Sequence, residues 1–338
     1  MLKDRIFIIA EAGVNHNGCL DTAKSLVEVA AKAGADAVKF QMFNPEELVA
    51  KSACRAAYQR SNMPARNETQ LEMLRRLAMT RVEFRELAAF CSQLGIVFLS
   101  TPFDFPSVDF LDELGVPYFK ISSGDLTNHS FLKYIAGKKK KLILSTGMAS
   151  LGEVEEALDV LRQAGQDDTI LLHCTSSYPA AFREVNLRAM LTLHRAFNLP
   201  VGYSDHTEGI EAAIAAAAIG ACVIEKHFTL DRGMEGPDHK ASVQPDELVA
   251  MVRAIRNVEK ALGDGRKRPS ESERDIMRHA RRSLVAADDI FAGETITENK
   301  LTVKRPGTGI PPNMLNIIVG RFARVDIQKD SVITWDMI

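Results

Sequence analysis

Residues Pro200–His227 read PVGYSDHTEGIEAAIAAAAIGACVIEKH, and they hold one full repeat of the pattern that decides the fold. A short run over 200–204 reads as a strand and leads into polar residues. An alanine-rich helical stretch follows, closed by Gly220, because glycine accepts the left-handed cap conformation at little cost. A second strand-like run then occupies 222–227. Strand, helix and strand in that order imply two parallel strands joined by a crossover.

The same rhythm extends through the preceding two hundred or so residues. Strands are predicted at 6–10, 37–41, 96–100, 118–121, 141–145 and 169–174, in addition to 200–204 and 222–227. Leu26, Val29, Ala30 and Ala33 form one apolar stripe at helical spacing, and Val154, Ala157, Leu158 and Leu161 form another. Gly34, Gly95, Gly115 and Gly165 stand where Gly220 stands, each shortly before a strand. Eight such units predict an α/β chain closed into a (β/α)8 TIM barrel. Two insertions interrupt it. One, at about 44–80, is a polar loop with a helical piece near 68–78; the other, 228–244, is a Gly/Pro/Asp-rich loop after the eighth strand. Long loops at strand ends commonly serve a site.

After a helix at 245–262 the texture changes. The polar stretch Gly263–Pro269 and a charged segment to about 280 read as a linker. Short strands then follow at Ser283–Ala287, Leu301–Lys304 and Val332–Trp335, separated by Gly and Pro turns. The barrel is therefore assigned to 1–262, the linker to 263–280 and a small, mostly β domain to 281–338. So short a domain is near the limit for burying its own core, and it is expected to lean on another surface.

Bulk properties narrow the function. The 338 residues are 46% hydrophobic and 25% charged, with a formal net charge of -2, which argues against a nucleic-acid partner. The run Lys138–Lys141 precedes a strand and reads as a solvated turn. The five cysteines (Cys19, Cys54, Cys91, Cys174, Cys222) are odd in number and widely spaced. That suggests reduced thiols in a cytoplasmic protein, not a disulfide frame. The apolar run Ile6–Ala10 is too short for a signal peptide, and no run approaches the ~20 residues of a membrane span.

In such a barrel the active site lies where the strands end, and here every strand ends polar. Glu11 is followed by Asn15-His16-Asn17; Lys39 and Gln41 share the second strand, and Ser100-Thr101 end the third. Lys120 leads to Ser122-Ser123-Gly124-Asp125, and Ser145-Thr146-Gly147 follow on the fifth. His173 precedes Thr175-Ser176-Ser177-Tyr178, Ser204-Asp205 precede His206, and Glu225-Lys226-His227 close the eighth. One polar strand end is often a satisfied core group, but convergence at all eight reads as a catalytic mouth. Lys39 and Lys120 with the hydroxyls of Thr101, Ser123, Ser145, Ser176 and Ser204 make an anion cradle. Gly124 and Gly147 permit close backbone approach. With no GxxxxGK[ST] or GxGxxG present, a nucleotide fold is not indicated.

His206 and His227 fall at the ends of neighbouring strands, which lie ~4.8 Å apart. By spacing alone they are a shared metal site, an acid–base couple or a structural pair. Asp205 and Glu225 beside them are candidates for orienting the imidazoles. His173 is equally a core histidine or a site residue. His16 and His239 sit on loops, while His129, His194 and His279 read as surface residues.

These segments occur in a familiar order: Ile9-Ala10-Glu11-Ala12-Gly13-Val14-Asn15-His16-Asn17-Gly18, Val38-Lys39-Phe40-Gln41, Ser100-Thr101-Pro102-Phe103, Lys120-Ile121-Ser122-Ser123-Gly124 and Leu144-Ser145-Thr146-Gly147-Met148. His173-Cys174-Thr175, Tyr178-Pro179, Gly202-Tyr203-Ser204-Asp205-His206-Thr207 and Glu225-Lys226-His227-Phe228-Thr229 follow. Over essentially its whole length the chain resembles the sialic acid synthase family, which includes N-acetylneuraminate and N,N'-diacetyllegionaminate synthases. Its tail, with Arg282-Ser283-Leu284-Val285 and Val303-Lys304-Arg305-Pro306-Gly307-Thr308-Gly309, resembles the small antifreeze-like (SAF) domain of that family.

The resemblance implies a synthase that condenses phosphoenolpyruvate with an N-acetylmannosamine-type aldehyde and water, releasing phosphate. It implies a divalent metal, Mn2+ or Mg2+, held by His206 and His227, and places Glu11 near the reacting groups. It implies sugar-side roles for Gln41, Asp125, Tyr178 and Asp238. Arg305 matches an arginine that reaches the sugar's acyl group from the partner subunit of a domain-swapped homodimer. Some relatives carry glutamate at the position of Asp125 and asparagine at that of Ser176, so acceptor choice is the open point. Pseudaminate synthesis is one alternative. A sugar-phosphate acceptor is another, but it would need a second cationic site, and no further arginine cluster stands at the strand ends. A non-catalytic carbohydrate binder would have no reason to keep Glu11, both lysines and both histidines together.

Overall fold

Eight parallel strands form one sheet in the computed structural model, which describes residues 5–63, 66 and 68–338. They are β1 (Phe7–Gly13), β2 (Ala37–Met42), β3 (Val97–Pro102), β4 (Tyr118–Ile121), β5 (Lys141–Ser145), β6 (Thr169–Cys174), β7 (Val201–Asp205) and β8 (Val223–His227). Their hydrogen-bonded order is β3-β2-β1-β8-β7-β6-β5-β4. The first and last strands in the chain are thus neighbours, and the sheet curls into a barrel. β3 and β4 lie side by side at the seam, with no ladder between them among the described residues.

One principal helix follows each strand: α1 (Leu20–Ala33), α2 (Arg81–Leu94), α3 (Phe105–Glu113), α4 (His129–Ala136), α5 (Leu151–Gln163), α6 (Ala189–Phe197), α7 (Glu211–Ala218) and α8 (Pro245–Leu262). Their ends obey local chemistry. Thr80 with Glu83 and Ser150 with Glu153 form capping boxes on α2 and α5. Gly34 and Gly95 cap α1 and α2 at φ 79° and 70°, a region where a Cβ would be strained. In α1 the buried stripe runs through Leu26, Val27, Ala30 and Ala33, with Val29 at its edge.

Alternation along the strands divides the apolar residues into two layers. Ile9, Ala37, Leu99, Ile143, Ile170, Leu172 and Val223 fill the barrel interior. Ile8, Phe40, Phe119, Leu142, Leu171 and Ile224 face outward, against helix residues such as Leu26, Leu158, Leu248 and Ile255. The insertion after β2 folds into helical pieces at Pro45–Leu48, Ala57–Asn62 and Gln70–Leu77. Its Met63, Met73, Leu74 and Leu77 build a small separate core with Val14 and Phe43. The Lys138–Lys141 run pairs with surface carboxylates, as Lys138 does with Asp109 and Lys140 with Asp112.

The chain divides after Gly263 into two compact units. The second contains a helix at Glu271–Ala280, inside the stretch expected to be a linker, with Ser270 and Glu273 forming its capping box. Strands β9 (Ser283–Ala286) and β10 (Leu301–Lys304) pair antiparallel. The strand expected at Val332–Trp335 is not formed. Val332 makes one bridge to Val285, and the chain turns into a 3-10 helix at Trp335–Met337, too soon for a ladder. Leu284, Ile290, Ile296, Ile310, Ile318, Ile327 and Ile333 form a core belonging to this unit alone. Among the described residues, no helix is long and apolar enough to cross a membrane.

Candidate active site

The C-terminal strand ends enclose a cavity of about 430 Å³. Twelve expected site residues line it: Glu11, Lys39, Gln41, Thr101, Lys120, Ser123, Ser145, Ser176, Tyr178, Ser204, His206 and His227. Asp125 and Asp238 are not on its wall. Asp125 ends the short 3-10 turn Ser123–Asp125, and Asp238 is buried in the loop after β8. Arg305 follows β10 in the second unit.

Strand register brings the charges together. Glu11 pairs in register with Lys39 on β2 and with His227 on β8, and Ser204 on β7 pairs with Glu225. Lys39 Nζ lies 2.7 Å from Glu11 Oε2 and 3.5 Å from Glu225 Oε2, and donates to Thr101 Oγ1 at 3.0 Å. Lys120 lies 3.6 Å from the other Glu225 oxygen, which also accepts from Ser204 Oγ at 2.8 Å. The lysines of the expected cradle are therefore matched by two buried carboxylates. Glu225 sits between the ammonium groups, where it makes no hydrogen bond to an imidazole.

The two carboxylates respond oppositely. Burial pushes Glu11 up to about 7, against the downward pull of Lys39. Burial acts the same way on Glu225 but is outweighed by Lys120, Lys39 and the Ser204 hydrogen bond, so its carboxyl is held low. Two buried carboxylates around one ammonium do not both ionise cheaply, and of the two Glu11 is the more readily protonated.

A nest of small polar groups faces this cluster. A Cβ on Gly147 would fall 2.3 Å from Ser176 Oγ, 2.8 Å from Cys174 Sγ and 2.9 Å from Ser123 Oγ. Only glycine fits there, and its N–H donates to Ser123 Oγ at 2.9 Å. Ser145 Oγ is buried and has no partner among the described residues, a donor available to a ligand.

The imidazoles of His206 and His227 lie 5.5 Å apart between ring centroids. His206 Nδ1 is 2.7 Å from the Thr175 carbonyl, which only accepts, so Nδ1 carries the proton. Its Nε2 lone pair is then left for the Tyr178 hydroxyl at 3.2 Å, or for a cation. Burial pulls His206 down to about 4 and His227 well below its ordinary value, so both rings are neutral near pH 7. His227 Nδ1 is buried without a partner among the described residues. Neutral rings and one fixed tautomer suit a divalent metal. Among the described residues no group of three or more His, Cys, Asp or Glu could hold a metal, so further ligands would come from substrate and water.

The remaining histidines separate from the site. His173 Nε2 donates to the Val185 carbonyl at 2.7 Å and lines a different cavity beside α5 and α6. His16 and His239 are buried despite their loop positions, while His129, His194 and His279 are exposed. Asp205, expected to orient an imidazole, faces away from the cavity and pairs with Lys226.

Residues 26–267 match the NeuB family, and residues 281–338 match the SAF domain. The chain belongs to the NeuB family. This NeuB-family chain is 51% identical to the N,N'-diacetyllegionaminic acid synthase of Campylobacter jejuni, over 97% of this chain and 99% of that one. It is 47% identical to the synthase of the same name from Legionella pneumophila, over 98% and 94%. Pseudaminic acid synthases from Campylobacter jejuni are more distant, at 35% and 36%. Among solved structures, the N-acetylneuraminic acid synthetase of Leptospira borgpetersenii, determined with citrate, matches with TM-score 0.72 at 37% identity, over 81% and 90%. The chain is thus a phosphoenolpyruvate-dependent enzyme of the sialic acid synthase type that forms a carbon–carbon bond.

Tyr58, Gln70, Phe103, Met148 and Cys174 also line the NeuB-family cavity and were not singled out from sequence. Tyr58 packs against Tyr178 with ring centroids 5.2 Å apart and planes tilted by 31°. Tyr58 and Gln70 arrive through the folding of the insertion, which no local pattern announces. Glu225 was readable for this cluster: it stands two residues before His227, so both point to one face.

Proposed function

We propose that this enzyme joins phosphoenolpyruvate to the aldehyde of a 2,4-diacetamido-6-deoxy sugar of the mannosamine type, giving N,N'-diacetyllegionaminate and phosphate. The observation that carries the chemistry is one cavity holding the neutral pair His206 and His227 beside the cluster of Lys39, Glu11, Glu225 and Lys120. The identities to legionaminic acid synthases favour the acceptor. N-acetylmannosamine, which would give N-acetylneuraminate, is the second reading.

Each group then has a task. Lys39 and Lys120 meet the phosphate and carboxylate of phosphoenolpyruvate, with Thr101, Ser123, Ser145, Ser176 and Ser204 as directed donors. Carbon 3 of the enol bonds to the sugar aldehyde carbon. Water adds at carbon 2, and the tetrahedral species loses phosphate by C–O cleavage. Glu11 manages the water's proton, its raised pKa placing it near working pH. The proton given up by water balances the one taken up by the new alkoxide. Sialic acid synthases are in general metal-dependent, and Mn2+ or Mg2+ held by His206 and His227 would polarise the aldehyde. Gln41, Asp125, Tyr178 and Asp238 address the sugar, and Arg305 reaches its acyl group from the partner of a domain-swapped homodimer. The five free thiols support a cytoplasmic location.

With Mn2+ present, phosphate release is expected only when phosphoenolpyruvate and an acceptor sugar are supplied together. In a panel, the diacetamido sugar should give the higher kcat/KM over N-acetylmannosamine. The reverse order would move the assignment to neuraminate, and no release with any acceptor would end the synthase reading.

A further inference from the structure

Strands β7 and β8 end in parallel sequences, Ser204-Asp205-His206 and Glu225-Lys226-His227. Their ladder pairs Ser204 with Glu225 and Asp205 with Lys226. Ser204 and Glu225 line the cavity, so alternation sends Asp205 and Lys226 to the opposite face of the sheet. The histidines, one residue further on, face the cavity again. Behind them, the Asp205 and Lys226 side chains are both 0% exposed, and Lys226 Nζ lies 2.8 Å from Asp205 Oδ2. Lys226 also donates to the Thr207 carbonyl at 2.6 Å. Asp205 Oδ1 accepts from Thr207 N at 2.9 Å, Thr207 Oγ1 at 2.8 Å and the Tyr203 hydroxyl at 3.2 Å. Residues on both sides of His206 are thus tied to the residue that precedes His227.

Stability alone does not explain this arrangement, because buried ion pairs are often replaced by apolar side chains at little or no cost. What an apolar pair lacks is direction. The two histidines differ in how they are held. His206 has a ring partner in the Thr175 carbonyl, whereas His227 Nδ1 has none among the described residues. Metal-bound histidines ordinarily take their orientation from such a partner. His227 therefore depends on where its backbone is put: the β1 ladder holds it on one side, and on the β7 side, where His206 stands, the tie is made by its neighbour Lys226. We propose that the buried Asp205–Lys226 pair is a positioning element that sets the separation of His206 and His227 for one shared metal ion. The proposal rests on reading those histidines as metal ligands.

The test is Mn2+ binding to metal-stripped protein, with free Mn2+ read by electron paramagnetic resonance. Wild type, His227→Ala, Lys226→Met and the double variant Asp205→Leu/Lys226→Met are compared. The double variant keeps a packed pair and is expected to fold with a melting midpoint near that of wild type. Wild type should bind one Mn2+ that His227→Ala loses. Lys226→Met and the double variant should bind it about 10- to 100-fold more weakly, with KM for phosphoenolpyruvate little changed. Wild-type affinity in the folded double variant would overturn the positioning role, whatever happens to its stability. Absence of His227-dependent Mn2+ in wild type is a different result: it removes the metal reading, and this proposal with it.

Discussion

Asp238 is buried in the loop after β8, and burial alone pushes its carboxyl up to about 6. In the unfolded chain an aspartate titrates near ~3.9. A folded pKa above the unfolded one means that protonation favours the fold. The stabilising contribution of this group is fully present below about pH 4 and lost as pH rises through 6. Two pKa units correspond to about 3 kcal/mol, a cost the native protein carries at neutral pH. Asp238→Asn removes the charge, so its melting midpoint relative to wild type should rise between pH 4.5 and pH 7.5. Following the difference across pH cancels any fixed cost of the buried amide. If Asp238 addresses the sugar, KM for the acceptor rises in the same variant. A midpoint difference that stays flat with pH would mean that the carboxyl is not desolvated as the structure has it.

That loop is held from two sides: by Asn62 of the insertion, whose Nδ2 donates to the Pro237 carbonyl at 2.6 Å, and by the turn between β1 and α1. Asn15 Nδ2 donates to the Phe228 carbonyl at 2.8 Å and to Ser242 Oγ at 2.9 Å, and Ser242 Oγ donates to the Asp238 carbonyl at 2.7 Å. Asn17 Nδ2 donates to the Glu235 carbonyl at 2.9 Å. Losing the Asn15 amide leaves buried acceptors unpaired, at about 1–3 kcal/mol. Asn15→Ala should lower the melting midpoint and raise KM for the sugar, with KM for phosphoenolpyruvate nearly unchanged. Equal rises in both constants would refute a loop-specific role. The elements differ in how far sequence could announce this. The barrel strands were legible because short strand-like runs alternate with helical stripes and glycine caps, and the strand ends then nominated the cavity. The insertion was recognisable as a site loop, but not as the source of Tyr58 and Gln70, whose placement follows from packing around Met63, Met73 and Leu77. Asp205 was misread because adjacency in sequence to His206 is the opposite of adjacency on a strand face. The helix at Glu271–Ala280 was legible in its capping box, Ser270 with Glu273, yet its charged face reads like a linker.

At the scale of the whole molecule, the small unit has a core of its own yet leaves large apolar side chains uncovered. Phe291 and Phe322 are each 64% exposed and Trp335 is 50% exposed. Such rings on a small unit suit a partner surface, in keeping with the proposed domain-swapped homodimer, in which Arg305 acts on the other subunit's site. Subunit mixing separates action across the dimer from action within one chain. An Arg305→Ala subunit keeps a working barrel, and a His227→Ala subunit keeps a working arginine. If Arg305 acts across the dimer, each mixed dimer has one complete site, formed by the first subunit's barrel and the second subunit's arginine. Random exchange of equal amounts makes half the dimers mixed, so phosphate release should recover to about a quarter of the wild-type value from two nearly inactive parents. If Arg305 acts within its own chain, every site in every mixture lacks either the arginine or the metal ligand, and mixing restores nothing. Native mass spectrometry of the same samples, with one parent carrying a mass tag, counts the mixed dimers, so that silence in the assay counts against the swap and not against the mixing.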